Sequence, residues 1–463
     1  MIPLSKVLKG IEDHSLLHEA ATGIRFTGVS NDTRELRPGN LFVALKGERD
    51  GHDFIPDAFA RGALGVLAEL PIPLENWLPE SKRAGFAYII VRDSLAALQK
   101  LSAFWLAQHH ADVVGITGSL GKTTTKEMVA SVLGRKFRML KNERNLSNEF
   151  GLPLTVMNLN SRHQKLVLEM GMYAIGEIAT LCRIARPRIG VVTNVGPTHL
   201  ERLGTIERIA QAKSEIVQAL PDDGTAVLNG DDPLVLGMRS LARCRITTFG
   251  LSEGCDVRAT DVRSLGLEGV DFTLAHRGST ARIRTTLIGK HSIYACLASA
   301  AVGIASGMIL AEVAEAMVHP PGTVRVDVKP GLDGSTIIDD SYNASPRSMI
   351  AALNVLGEMP GRRIAVLGDM FELGSYEERG HREVGERAAA VVDELIVVGQ
   401  RAKWIGEEAL GRGHPSVTFY DSTTQVRIQP QAGEFILVKG SRGMRMEEIV
   451  TRLLPPGKPR RGR

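Results

Sequence analysis

The segment GITGSLGKTTTKE at 115–127 constrains this chain more than any other, because it joins a strand-like run, VVGIT (113–117), to a helical one, KEMVASVLGRK (126–136). Glycines in such a segment let the backbone curl until several N–H groups point at one anion, and a helix starting near Lys122 adds its positive N-terminal end. On this reading Thr117, Gly118, Ser119, Leu120, Gly121, Lys122, Thr123 and Thr124 cradle nucleotide phosphates. Lys122 neutralises terminal phosphate oxygens, and the Thr123 hydroxyl faces Mg²⁺. Ile116 stands where the G-x-x-x-x-G-K-[ST] pattern has its first glycine, so what remains is T-G-S-L-G-K-T-T. The strand–loop–helix context favours nucleotide binding over a plain turn.

A phosphate loop of this kind needs a sheet around it. KLVLEM (165–170) and IGVVTNV (189–195) read as further strands, separated by helical segments such as TIERIAQAKSEIVQAL (205–220) and another near 292–306. Such alternation implies an α/β domain, a parallel sheet with helices on both faces. Ahead of it, LFVAL (41–45) and AYIIV (87–91) are strand-like and 94–110 forms an amphipathic helix, which predicts a smaller N-terminal α/β domain. His319-Pro320-Pro321-Gly322 is a hinge candidate. Beyond it STIIDD (335–340), RIAVLGD (363–369), ELIVVG (394–399) and EFILVKG (434–440) predict a Rossmann-like C-terminal α/β domain. The expectation is three domains, at 1–110, 111–319 and 320–463, within the usual size for a chain of 463 residues.

Composition narrows the partners. Hydrophobic residues at 43% and charged residues at 23% fit a soluble globular protein. No apolar run reaches the roughly 18 residues of a membrane helix, and the N-terminus lacks a secretory apolar core, so a cytoplasmic protein without membrane insertion is expected. A net charge of +4, part of it in the terminal KPRRGR, with only 5% aromatics, argues against a nucleic-acid partner. Cys182, Cys244, Cys255 and Cys296 form no C-x-x-C pair and read as buried or incidental thiols.

Several polar residues follow apolar runs. Glu169 closes a strand at the edge where such sheets bind ligands, and is either a Mg²⁺ ligand or a solvated strand end. His199 follows a Gly-Pro turn at that same edge. Lys213, within QAKSEI, reads by spacing alone as a solvent-facing lysine. Asn229, Asp231 and Asp232 in LNGDDP read as a turn.

Taken in order along nearly the whole chain, these motifs resemble the Mur ligases of bacterial cell-wall synthesis. VSNDTRELRPGNLFVALKGERDGHDF (29–54) is similar to that family's uridine-nucleotide-binding start, and TGSLGKTTTKE to its ATP loop. NERNLSNEFGLPLTV (142–156) is similar to the region facing the UDP-muramoyl substrate. LEMG, TNVGPTHLE and AKSEI resemble its metal and catalytic segments. DDSYNASPRSM, VLGDMFELG and LVKGSRG resemble the C-terminal domain of the branch that adds D-Ala-D-Ala.

The resemblance implies an ATP- and Mg²⁺-dependent ligase that turns a carboxylate into an acyl phosphate and then an amide. Its substrates would be UDP-N-acetylmuramoyl-tripeptide and D-Ala-D-Ala, and it would act as a monomer whose C-terminal domain closes on ATP. By position it implies that Lys122, His199 and Lys213 are catalytic, and that His291, Arg325 and Asp340 join the phosphate loop in holding ATP. Thr123, Glu169, His199 and a carbamylated Lys213 would hold metal. Ser30, Asp32, Arg34 and Lys46 would bind the uridine nucleotide, and Tyr342, Asn343 and Ser345 the dipeptide. Two segments depart from the family pattern. Gly289-Lys290-His291-Ser292 and Ala295 replace a G-x-H-N motif and a second Asn, and Ser345-Pro346-Arg347 stands where N-P-D is frequent. Two alternatives remain: a sibling ligase adding the third amino acid, and a non-catalytic ATP-binding partner of a cell-wall complex.

Overall fold

The computed structural model describes residues 1–17, 23–73, 76, 83, 85–143, 145–318 and 326–456. The hinge candidate, Arg325 and the terminal KPRRGR lie outside them. The chain forms two compact units: residues 1–115, 137–171 and 177–188 make the first, and 116–136, 172–176 and 189–463 the second.

In the first unit, strands Val29–Ser30, Leu41–Val43, Gly65–Ala68 and Ala87–Ile90 run parallel, with Ser15–Leu16 antiparallel at the outer edge. Alternate residues feed two cores: Leu41, Val43 and Ile89 pack on one side with helix Ser94–Ala107, while Phe42, Ala44 and Tyr88 pack on the other. Runs that are apolar at every position mark strands covered on both faces. Asp93 caps that helix by accepting from the Ala96 N–H at 2.9 Å. Strands Met139–Lys141 and Lys165–Glu169 pair in parallel in this unit.

The second unit holds two sheets. Strands Ile189–Val192, Thr225–Asn229 and Arg245–Gly250 are parallel, and Val257 continues that direction beside Phe249. The sheet then changes sense. Val257–Ser264, Val270–His276 and Ser279–Thr285 form an antiparallel meander that the alternation of strands and helices did not predict. Its period-2 signal is in the sequence: Val270, Phe272 and Leu274 are buried, and Arg277-Gly278 turns the chain. The outer strand, Ser279–Thr285, packs against helix Leu310–Met317, while Arg282 pairs with Asp271 and Arg284 reaches Glu268 at 2.6 Å.

The C-terminal sheet has the order Asp327–Pro330, Thr336–Asp340, Phe435–Lys439, Arg363–Gly368, Glu394–Val398 and Val417–Tyr420; the first strand is antiparallel and the rest parallel. Ile338, Leu437 and Leu367 face helices Pro346–Gly357 and Glu377–Ala389, and Ile337, Ile436 and Val438 face helix Glu447–Leu453. No helix among the described residues is long and apolar enough to cross a membrane.

Candidate functional site

Strand Asp112–Thr117 delivers the phosphate loop into helix Lys122–Gly134. Gly118 has φ +149°, and a Cβ there would lie 1.8 Å from the Thr193 Oγ1, so no other residue fits. Gly121 has φ +76° in open space and is required by backbone conformation alone.

The loop is fastened to the end of the neighbouring strand. The Ser119 N–H donates to the Asn194 carbonyl at 2.9 Å, and the Leu120 N–H to the Asn194 side-chain oxygen at 2.9 Å. Asn194 Nδ2 and Thr193 Oγ1 both donate to the Leu120 carbonyl, at 3.0 and 2.7 Å. Ser119 Oγ exchanges hydrogen bonds with Gly196, accepting from its N–H at 2.9 Å and donating to its carbonyl at 3.0 Å. Asn229 and Asp232 brace this strand end by reaching the Thr193 carbonyl at 2.8 Å and the Val195 N–H at 2.9 Å. These two had read as turn residues; Thr193 and Asn194 were present only inside a motif and were not singled out.

Lys122 Nζ donates to the Gly118 carbonyl at 2.8 Å. Lys213, on helix Ile206–Gln218, is 2% exposed, so the solvent-facing reading from spacing is wrong. Burial, and then the neighbouring Lys122 cation, hold its amine well below the usual lysine range.

His199 and Glu372 are both non-glycine residues with positive φ, 58° and 64°. The His199 ring nitrogen Nδ1 is hydrogen-bonded to the Glu372 carboxylate, and this bond holds Glu372 below the usual carboxylate range. The Tyr173 ring meets the His199 ring edge-on at 4.9 Å, and the Arg202 guanidinium lies 4.8 Å from the Tyr173 centroid. Glu372 was not found from sequence; its VLGDMFELG segment was.

Asp340 ends strand Thr336–Asp340 and pairs at 2.6 Å with Lys439, whose side chain is 3% exposed. Lys439 also donates to the Asn343 carbonyl at 2.8 Å. Tyr342 and Asn343 are exposed, whereas Ser345 is buried and caps helix Pro346–Gly357 through Ser348. His291 lies within electrostatic reach of Asp340 and Lys439 and lines a cleft of about 420 Å³ with Asn354 and Val355. Ser292 Oγ donates to the Gly289 carbonyl at 2.7 Å, and Ala295 is buried in helix Ile293–Ala305.

In the first unit, Glu169 is 6% exposed at its strand end, which excludes a solvated carboxylate there; Asn142 brackets its backbone, accepting from its N–H at 2.9 Å and donating to its carbonyl at 3.0 Å. Ser30, Asp32 and Arg34 follow one parallel strand and Lys46 the adjacent one, so they share an edge. Asp32 pairs with Arg34 at 2.6 Å, and Lys46 with Glu69 at 2.5 Å.

Three family models match in order: the Mur ligase family catalytic domain over residues 25–105, the Mur ligase middle domain over 116–303, and the Mur ligase glutamate ligase domain over 324–442. Among relatives, the UDP-N-acetylmuramoyl-tripeptide–D-alanyl-D-alanine ligase of Bacillus subtilis is 38% identical, covering 92% of this chain and 93% of its own. That of Escherichia coli is 36% identical over 94% and 95%. A solved MurF structure from Acinetobacter baumannii matches with TM-score 0.86 at 30% identity, covering 98% of each chain. MurF from Thermotoga maritima, in complex with ADP, matches with TM-score 0.76 at 32% identity over 92% and 96%.

Proposed function

The chain belongs to the Mur ligase family, and on that premise we propose that it joins D-alanyl-D-alanine to UDP-N-acetylmuramoyl-tripeptide at the expense of ATP, in peptidoglycan precursor synthesis. The Bacillus subtilis and Escherichia coli relatives of that name match along more than nine-tenths of their length, and this observation carries the reading.

A free carboxylate resists attack by an amine because oxide is too poor a leaving group. Transfer of the terminal phosphoryl group of ATP to the tripeptide carboxylate makes phosphate the leaving group. The dipeptide amine then attacks the acyl carbon, phosphate departs and the amine gives up its proton. Phosphoryl transfer needs alignment and charge neutralisation more than covalent help. The N–H groups of the phosphate loop and Lys122 serve that need. His291 and Asp340, with Arg325, are assigned to the remainder of ATP. The three sections 1–110, 111–319 and 320–463 divide the work. The first takes the uridine nucleotide through Ser30, Asp32, Arg34 and Lys46, the second takes ATP, and the third takes the dipeptide through Tyr342, Asn343 and Ser345 and closes on ATP.

The donor chemistry fits Mg²⁺. Mg²⁺ relies on one or two carboxylates, water and substrate phosphates, and Glu169 is a buried carboxylate at a strand end. By position in the family's motifs Thr123, Glu169 and His199 would hold it, and the Glu372 carboxylate orients the His199 ring through Nδ1. Lys213, buried and biased toward its neutral amine, suits addition of CO₂ to give a carbamate ligand. When bound, Mg²⁺ supplies charge neutralisation at the phosphate oxygens. The chain is expected to act as a monomer in the cytoplasm, without a nucleic-acid partner.

The test is phosphate release with ATP, Mg²⁺ and UDP-N-acetylmuramoyl-tripeptide, offering D-Ala-D-Ala, lysine, diaminopimelate or D-Ala in turn. Release only with D-Ala-D-Ala, and a pentapeptide product by mass, supports the reading. Release with another amine keeps the ligase and overturns the substrate; none with any amine overturns both.

A further inference from the structure

Arg347 is one of the positions at which this chain departs from the family pattern, and its place in the fold gives the departure a use. It sits in the first turn of helix Pro346–Gly357, where a cation opposes the helix dipole, so helix stability does not account for it. Its guanidinium crosses to the strand end that fastens the phosphate loop, and Nη1 donates to the Val195 carbonyl at 3.0 Å. The next residue, Gly196, is the one that exchanges hydrogen bonds with Ser119. A Cβ on Gly196 would find Arg347 Nη1 at 3.5 Å and the Ser119 Cβ at 3.7 Å, so guanidinium and phosphate loop flank one glycine. Among the described residues no carboxylate forms an ion pair with Arg347, and its side chain is exposed. A guanidinium has five N–H donors in a planar fork suited to phosphate oxygens, and the Val195 carbonyl occupies one of them.

We propose that Arg347 is a further phosphoryl-contacting residue of this enzyme, meeting the terminal phosphate of ATP and the acyl phosphate made from it. The proposal rests on the ligase reading. In the first step the carboxylate oxygen bonds to the terminal phosphorus as the bond to the bridging oxygen breaks and ADP leaves. Arg347 neutralises the transferring oxygens together with Lys122. In the second step the amine nitrogen bonds to the acyl carbon, the carbon–oxygen bond to phosphate breaks, and Arg347 holds the departing anion. The Val195 bond fixes the fork, so little side-chain freedom remains to be lost when phosphate arrives.

The experiment compares the unsubstituted chain with Arg347→Met and Arg347→Lys. Calorimetry in the presence of UDP-N-acetylmuramoyl-tripeptide reads the affinity for a non-hydrolysable ATP analogue relative to ADP, and phosphate release reads kcat. Arg347→Met is expected to lower the analogue-to-ADP ratio about 10-fold and kcat on the order of 100-fold, with Arg347→Lys retaining the larger part of both. A residue that only pinned the Val195 carbonyl would weaken both nucleotides alike. An unchanged ratio in Arg347→Met therefore overturns the proposal whatever happens to kcat. The ratio also reads Arg347 in a chain that turned over none of the amines, so failure of the ligase reading and failure of this one are distinguishable.

Discussion

Two loops of the second unit end parallel strands and engage a lysine, yet they are built by opposite means. The phosphate loop is shaped by glycine and by backbone: Gly118 and Gly121 take positive φ, and Lys122 curls onto the Gly118 carbonyl. The loop over 339–345 contains no glycine and no positive φ. Asp339 accepts from the Ser341 hydroxyl at 2.6 Å and from Lys329 at 2.6 Å, Asn343 Oδ1 accepts from the Ala344 N–H at 2.9 Å, and buried Lys439 binds Asp340 and the Asn343 carbonyl. The first loop is held from outside, its Ser119 and Leu120 N–H groups donating to Asn194; the second ties several of its own polar side chains into its shape. A cation at a ligand edge is thus a catalytic candidate in one loop and a framework in the other.

The contrast breaks most sharply on the two lysines. Lys122→Ala should lower kcat on the order of 1,000-fold, by phosphate release, with the circular dichroism spectrum unchanged. Near-normal turnover would remove Lys122 from the chemistry. Lys439→Met leaves Asp340 without its cation and should cost about 3 kcal/mol, read as a fall of several degrees in Tm. A normal Tm with lost turnover would make Lys439 a second Lys122 and erase the distinction. The glycines sharpen it further. Gly118→Ala forces a Cβ into Thr193 and should cost about 2 kcal/mol, whereas Gly121→Ala meets only the left-handed backbone penalty of about 1 kcal/mol. If the two were equal, contact with Thr193 would not be what holds Gly118.

These differences explain what could be read from the sequence. A backbone cradle leaves a local mark, and Thr117–Thr124 could be assigned from spacing and flanking periodicity. A side-chain framework does not, because Lys439 lies about 100 positions from Asp340 and its role exists only once two strands pair in register. Glu372 and His199 meet across 173 positions, and Arg347 and Val195 across 152. The solvent-facing reading of Lys213 from spacing failed for another reason: its helix places the side chain inward. The strands beside the phosphate loop were legible as apolar runs, but their antiparallel continuation was passed over because its alternating Arg, Asp and Thr residues resemble loop composition.

That continuation has a consequence for how the protein behaves in a crowded solution. Ser279–Thr285 is an outermost strand, and such an edge is a template on which another chain can add. Here Leu310–Met317 lies against the strand, and Arg282 and Arg284, with Asp271 and Glu268, keep ion pairs beside it. An incoming strand would have to strip water from those charges before its first hydrogen bond formed. The edge that closes the sheet therefore also guards the protein against aggregation.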